Sequence, residues 1–214
     1  MKANKLLYIG LFLLLVILSC GNKTITTNEE YLKWMNDEDN GLVMTKEAGG
    51  ITIKVKYLPS NYLAYQDLSG QTIIKKEESD SIIKSYDKSL TFLMTIGVDG
   101  EVKKGDVMYQ GVQNYEEYKK RLYAMNFDIE NNVTIKIGEK KYRPVLSNLE
   151  NGYGLTESRN ITLVFVPETK EDQLFYLGEE IQFTYDDELF DSGINHFTFD
   201  RKKLNNIPQF IFWK

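Results

Sequence analysis

Apolar residues in this chain recur at every second position more often than at helical spacing, and that period decides what it can fold into. Ile51, Ile53, Val55 and Tyr57 alternate with Thr52, Lys54 and Lys56, the pattern of a strand with one buried and one solvated face. Leu90 to Val98 is apolar on both faces and reads as a central strand. Asp99-Gly100 then turns the chain, and Glu101 to Met108 is expected to return as a polar edge strand. From Asn132 the pattern is almost purely β. Val133, Ile135 and Ile137 alternate, Gly138-Glu139 turns, and Lys141 to Leu146 returns with Pro144 marking an edge. Ile161 to Val166 is a buried run stopped by Pro167, and Ile181, Phe183 and Tyr185, then Phe197 and Phe199, then Phe210 and Phe212, define three further strands. Short strands separated by turns at this spacing imply antiparallel sheets.

Helical spacing is clear in one place. Asn114 precedes Tyr115-Glu116-Glu117, so its side chain can cap a helix whose third residue is glutamate. The spacing predicts a helix over residues 114–125 with Tyr115, Tyr118, Leu122 and Met125 as its inward stripe. Glu116 with Lys120 and Glu117 with Arg121 are the expected surface pairs. A shorter helix is expected from Asn28 to about Asn36, capped by Thr27 and anchored by Trp34, and a helical turn or two from Asp80 to Lys88. The expected fold class is therefore α+β: mainly antiparallel β-sheet, one clear packed helix (114–125) and a β-sandwich-like C-terminal half. The strand at Tyr142-Arg143-Pro144, the run Leu163 to Val166 and the hairpin from Asp187 to Phe199 together resemble an immunoglobulin-type module in topology, without its Cys-Trp-Cys core.

The N-terminus has a different character. Lys2 and Lys5 precede a 13-residue apolar run from Leu6 to Leu18, followed by Ser19-Cys20-Gly21. Crossing a bilayer takes about 20 residues of helix, so the run suits the core of a secretory signal peptide. Ile17-Leu18-Ser19-Cys20 resembles the signal of bacterial lipoproteins. That resemblance implies cleavage before Cys20, a lipid on Cys20 and attachment to a membrane through it. Gly21 stands where an aspartate would resemble an inner-membrane retention signal, and no acidic tract follows the cysteine. The expected place is therefore the cell envelope, at the outer membrane with the domain facing the periplasm. The expected organisation is a signal peptide (1–19), a lipidated tether (20–27), an α+β region (28–130) and a β-rich, immunoglobulin-like region (131–214).

Composition closes several function classes. The chain carries a net charge of −5, which becomes −7 once Lys2 and Lys5 are removed, so clustered cations for nucleic acid are not expected. Cys20 is the single cysteine, which leaves no disulfide and no thiol nucleophile in the mature domain. His196 is the single histidine; with Phe197 and Phe199 inward, it shares the outer face of a strand with Thr198. No Gly-x-Ser-x-Gly marks a serine partner for it. One histidine and no free cysteine cannot make the usual zinc site, and no glycine-rich phosphate loop is present. Asn36 to Glu47 approaches the spacing of a calcium-binding EF-hand, with Glu38, Asn40 and Gly41 in register, but it lacks the first carboxylate and an exiting helix. Asp80-Ser81-Ile82 resembles the short O-glycosylation acceptor of some Gram-negative envelope proteins.

Two loops carry the residues expected to meet a partner or ligand. Tyr153 sits in the glycine-containing loop from Gly152 to Leu155, and Asp186, Asp187, Glu188 and Asp191 cluster in a turn after a strand. Neighbouring carboxylates in one turn do not have the two-segment arrangement of glycoside hydrolases. The expected function is non-catalytic, without cofactor or metal: an envelope lipoprotein in protein binding or assembly support. Carbohydrate binding or processing through Tyr153 and the acidic turn is the alternative, and an immunity or inhibitor lipoprotein a second.

Overall fold

The structure, a computed structural model, describes residues 24–100, 105–151 and 156–213. Its strands are β1 (Thr24–Ile25), β2 (Val43–Ala48), β3 (Ile51–Leu58), β4 (Leu90–Val98), β5 (Val133–Ile137), β6 (Lys140–Tyr142), β7 (Leu146–Leu149), β8 (Arg159–Phe165), β9 (Glu180–Asp187), β10 (Gly193–Asp200) and β11 (Gln209–Phe210). Its helices are α1 (Asn28–Asn36), α2 (Ser60–Leu68), α3 (Lys76–Tyr86), α4 (Tyr115–Phe127), α5 (Ile129–Asn132), α6 (Gln173–Leu177) and α7 (Arg201–Asn205). The fold is α+β and mainly antiparallel sheet. A five-stranded sheet runs β2-β3-β4-β8-β7, a four-stranded sheet runs β10-β9-β5-β6, and β1 lies parallel to β11. Because β7 and β8 join β4, the first sheet takes strands from both sides of residue 131.

The two sheets meet through aromatic rings at the buried positions of the alternating strands. Phe92 of β4 lies 5.9 Å from Phe165, 5.4 Å from Phe183 and 5.2 Å from Phe199, so one ring touches β8, β9 and β10. Tilted and edge-on pairs of this kind add about 0.5–1.5 kcal/mol each beyond their burial. Met94, Ile96, Ile161, Leu163, Ile181 and Ile135 complete the same cluster, all fully buried.

Several local elements depart from the sequence reading. β2 takes in the second half of the EF-hand-like register, where no strand was expected. Gly49 and Gly50, at φ 62° and 76°, make the two-residue turn that folds it onto β3. Glu47, the last position of the EF-hand register, is thereby a strand residue opposite Thr52. Thr27 caps α1 as expected, but Tyr31 and Met35 anchor it while Trp34 is only partly buried, and Tyr31 stacks on Phe210 at 4.5 Å. α3 begins at Lys76, so the charged stretch before Asp80 is its first turn and Lys76 pairs with Asp80 at 2.5 Å. The expected edge strand is not formed over its described part: Val107–Tyr109 is a 3-10 turn with Val107 and Met108 fully buried, while residues 101–104 lie outside the described region. Asp106 holds this turn by accepting from the Met108 N–H at 2.9 Å and pairing with Arg159 of β8 at 2.6 Å.

Candidate functional site

The acidic turn between β9 and β10 is built around Asp187, which is only 7% exposed. Its Oδ1 accepts from the Tyr185 hydroxyl at 2.9 Å and from the Leu189 and Phe190 N–H groups at 2.9 and 3.1 Å. Its Oδ2 accepts from the Ser192 N–H at 2.8 Å and the Ser192 hydroxyl at 2.6 Å. The sequence reading of Asp187 as a contact residue is corrected by this geometry: its oxygens are spent on closing the hairpin, because a tight turn leaves N–H groups that β pairing cannot satisfy. Burial, then the Asp187 charge, push the Tyr185 hydroxyl well above the ordinary tyrosine range. Asp186, Glu188 and Asp191 are exposed. Asp191 takes a left-handed φ of 61°, and its carbonyl faces the tip of the β2–β3 hairpin, 3.2 Å from where a Cβ on Gly49 would stand.

Arg121, read from sequence as half of a surface ion pair, has a different role. Its guanidinium donates to the carbonyls of Met108, Gln110 and Leu189 at 3.0, 2.7 and 2.9 Å, with a longer contact to Val107. It also lies over the Phe190 ring at 4.6 Å. Burial lowers its pKa, while Asp187 and Asp191 oppose that shift. One planar fork thus ties α4 to the Val107–Tyr109 turn and to the β9–β10 hairpin, which only arginine can do from a single side chain. The expected partner of Glu116 is also different: it pairs with Lys119 at 2.7 Å, and Glu117 caps the helix start through Asn114 and the Gln113 N–H.

With Arg121 and Met125 facing inward, α4 turns its aromatic residues outward. Tyr115 is 70%, Tyr123 60% and Phe127 64% exposed, and Tyr109 beside the helix is 62% exposed. Of the expected inward stripe only Met125 is fully buried. Tyr118 stacks between Tyr109 at 5.1 Å and Tyr115 at 6.2 Å, with interplanar angles of 17° and 14°. Tyr123 packs on Phe127 at 4.9 Å. The result is an exposed aromatic face on a rigidly pinned helix.

Neither a family model nor a curated protein matches the sequence. Among solved structures, the chain is similar to a protein of unknown function from Burkholderia pseudomallei, with a TM-score of 0.38 and 13% identity over 86% of this chain and 94% of that one. It is also similar to a DUF4426 family protein from Pseudomonas aeruginosa, with a TM-score of 0.35 and 10% identity over 74% of this chain and 92% of that one. Likenesses this weak carry no argument about function.

The other sequence candidates fall as follows. Cys20 and Tyr153 lie outside the described residues. His196 is exposed on β10 and meets the Thr184 hydroxyl of β9 at 3.0 Å. Ser81 is exposed within α3, so the Asp80-Ser81-Ile82 acceptor pattern sits on a helix. On the solvent face of the second sheet, Lys136, Gln182 and Thr198 stand in one row across β5, β9 and β10. They line a cleft of about 500 Å³ with Leu177 and Glu180. No helix among the described residues is long and apolar enough to cross a membrane.

Proposed function

We propose that this chain is a non-catalytic envelope lipoprotein, held to a membrane by a lipid on Cys20, whose domain binds another protein to support an assembly. The observation that carries the binding part is the aromatic face of α4. Clustered exposed aromatic residues are a usual mark of a contact surface, and tyrosine is enriched where proteins meet. Arg121 contributes rigidity, which lowers the entropy lost on association. The tether rests on the signal-like N-terminus and on Ile17-Leu18-Ser19-Cys20. The sequence favours the outer membrane with the domain towards the periplasm.

A photo-crosslinking residue placed at Tyr115 or Tyr123 in living cells tests the binding surface. A discrete protein adduct from both positions, absent with the probe at Lys54 on β3, is the expected result. Equal labelling at all three positions would sink the proposed surface. A second reading, carbohydrate binding, draws support from the Gln182 and Thr198 cleft, whose neutral donors and acceptors suit hydroxyl-rich ligands. Saturable binding on a glycan array that Gln182→Ala removes would favour it over protein binding.

A further inference from the structure

The register that sets Leu90 opposite Phe165 brings the residues just before β4 beside those just after β8. Lys88, at the end of the α3–β4 turn, therefore sits next to the loop that starts at Val166. That loop is held from within by Asp172, whose carboxylate accepts from the Tyr142 hydroxyl at 3.0 Å, Lys140 at 3.2 Å and the Phe175 N–H at 3.4 Å. Lys140 also reaches Glu168 at 3.5 Å. Lys140 thus bridges the two carboxylates.

What remains along the outer side is a groove of about 610 Å³ with an excess of donors. Lys88, Lys170, Thr169 and Tyr176 line it together with Glu168, the one carboxylate residue of that lining, which pairs with Lys140. Val166 and Pro167, with the Tyr176 ring, supply its apolar wall. In a chain of net charge −5, two lysines against the one carboxylate of Glu168 leave this lining net positive. An excess of donors is complementary to an oxyanion, and ammonium groups with hydroxyls suit it as strong, charge-assisted partners. The volume falls in the range of small-molecule sites, about 300–1,000 Å³.

We propose that this groove binds a small soluble molecule carrying a phosphoryl or carboxyl group on an apolar or planar body. The anion lies between Lys88 and Lys170, and the body rests on Pro167 and the Tyr176 ring. The sequence contains no glycine-rich phosphate loop, so the anion is held by side chains rather than by a backbone cradle. The site stands independently of the lipid tether and of the α4 surface.

Calorimetric titration of the full mature chain with inorganic phosphate, phenyl phosphate and benzoate tests this. Saturable binding is expected, with phenyl phosphate tighter than inorganic phosphate. Lys88→Ala and Lys170→Ala should each weaken it about tenfold, as loss of a hydrogen bond to a charged group does. Tyr176→Phe keeps the ring and should retain the preference for phenyl phosphate, while Lys202→Ala, outside the groove, should leave binding unchanged. Both lysines are exposed, so the variants should melt with the parent. No saturable heat with any of the three anions, or equal affinity in the Lys88→Ala/Lys170→Ala variant, would overturn the proposal. So would binding confined to phosphatidylcholine vesicles doped with phosphatidic acid, which would make the ligand a lipid headgroup.

Discussion

Replacing Asp187 tests the reading of the acidic turn most sharply, because sequence and structure assign it opposite roles. As a surface contact, Asp187→Asn would leave stability unchanged within about 0.5 kcal/mol. As the centre of five hydrogen bonds, it cannot. Asparagine can keep the oxygen that serves Tyr185, Leu189 and Phe190, but its amide then faces the Ser192 N–H, donor against donor. The Ser192 hydroxyl can turn and accept, so one buried N–H is stranded and one bond weakened, a loss of about 2–3 kcal/mol. Asp187→Ala strands the Leu189, Phe190 and Ser192 amides and the Tyr185 hydroxyl together, about 4 kcal/mol or more on the same scale. For a chain of this size 1 kcal/mol moves Tm by about 2–4 °C, so Asp187→Asn should melt roughly 4–12 °C lower by circular dichroism. Asp186→Asn and Glu188→Gln, both exposed, serve as controls and should melt with the parent. An Asp187→Asn protein that melts with those controls would refute the assignment.

Four further outcomes follow from the same contacts. Arg121→Lys, which supplies one ammonium where four carbonyls share a fork, should lose about 2 kcal/mol and weaken the near-ultraviolet dichroism of the Tyr109–Tyr118–Tyr115 stack; urea titration and the spectrum together check this. Gly49→Ala, at φ 62° and facing the Asp191 carbonyl, should cost about 1–2 kcal/mol, read from the urea midpoint. On the alkaline side, burial pushes the hydroxyls of Tyr57 and Tyr142 up to about 12, with Asp87 and Asp172 adding to it. Their folded values exceed the unfolded one near 10, so their stabilisation is complete below about pH 10 and lost as pH rises towards 12; phenolate absorbance should therefore appear together with unfolding. On the acid side, burial alone would raise Asp172, but the bonds from Tyr142, Lys140 and the Phe175 N–H outweigh it and hold the carboxyl below its usual range. Its stabilisation is present above about pH 4 and lost as pH falls further; Asp172→Asn should flatten that acid limb in a pH series of melting temperatures.

Strands were legible where side-chain chemistry repeats at a period of two. Ile51, Ile53 and Val55, and Ile181, Phe183 and Tyr185, are fully buried as their alternation implies. β2 was not legible, because Thr45, Lys46 and Glu47 face solvent at an edge and its placement depends on the Gly49-Gly50 turn and on pairing with β3. Sheet membership was also beyond local pattern: nothing in Ile161 to Phe165 says that it pairs with β4 across a separation of 67 to 75 residues. Pairing is set by which apolar faces meet once the chain has collapsed.

The candidate site shows the same division. Asn114 and Glu117 announced the start of α4 correctly, since a cap is a local interaction. Its orientation is not a local property. A tyrosine can face either way at little cost, and what rotates the helix is Arg121, whose acceptors lie as far as 68 residues away. A single arginine surrounded by alternating charges looks like an ordinary surface residue until the carbonyls it holds are known. Asp187 did leave a trace, an aspartate two, three and five residues ahead of the amides it caps, which is how side chains close turns. In a cluster of four carboxylates that trace does not say which one is buried.

The proposed function requires a lipid tether at Cys20, and the mass of the mature N-terminal peptide tests that most directly. Proteolysis of the native protein extracted in detergent should release a peptide beginning at Cys20 and carrying the added mass of lipid, and Cys20→Ala should abolish both the modification and the cleavage before residue 20. A native peptide beginning at Met1, or an unmodified Cys20, would contradict the account.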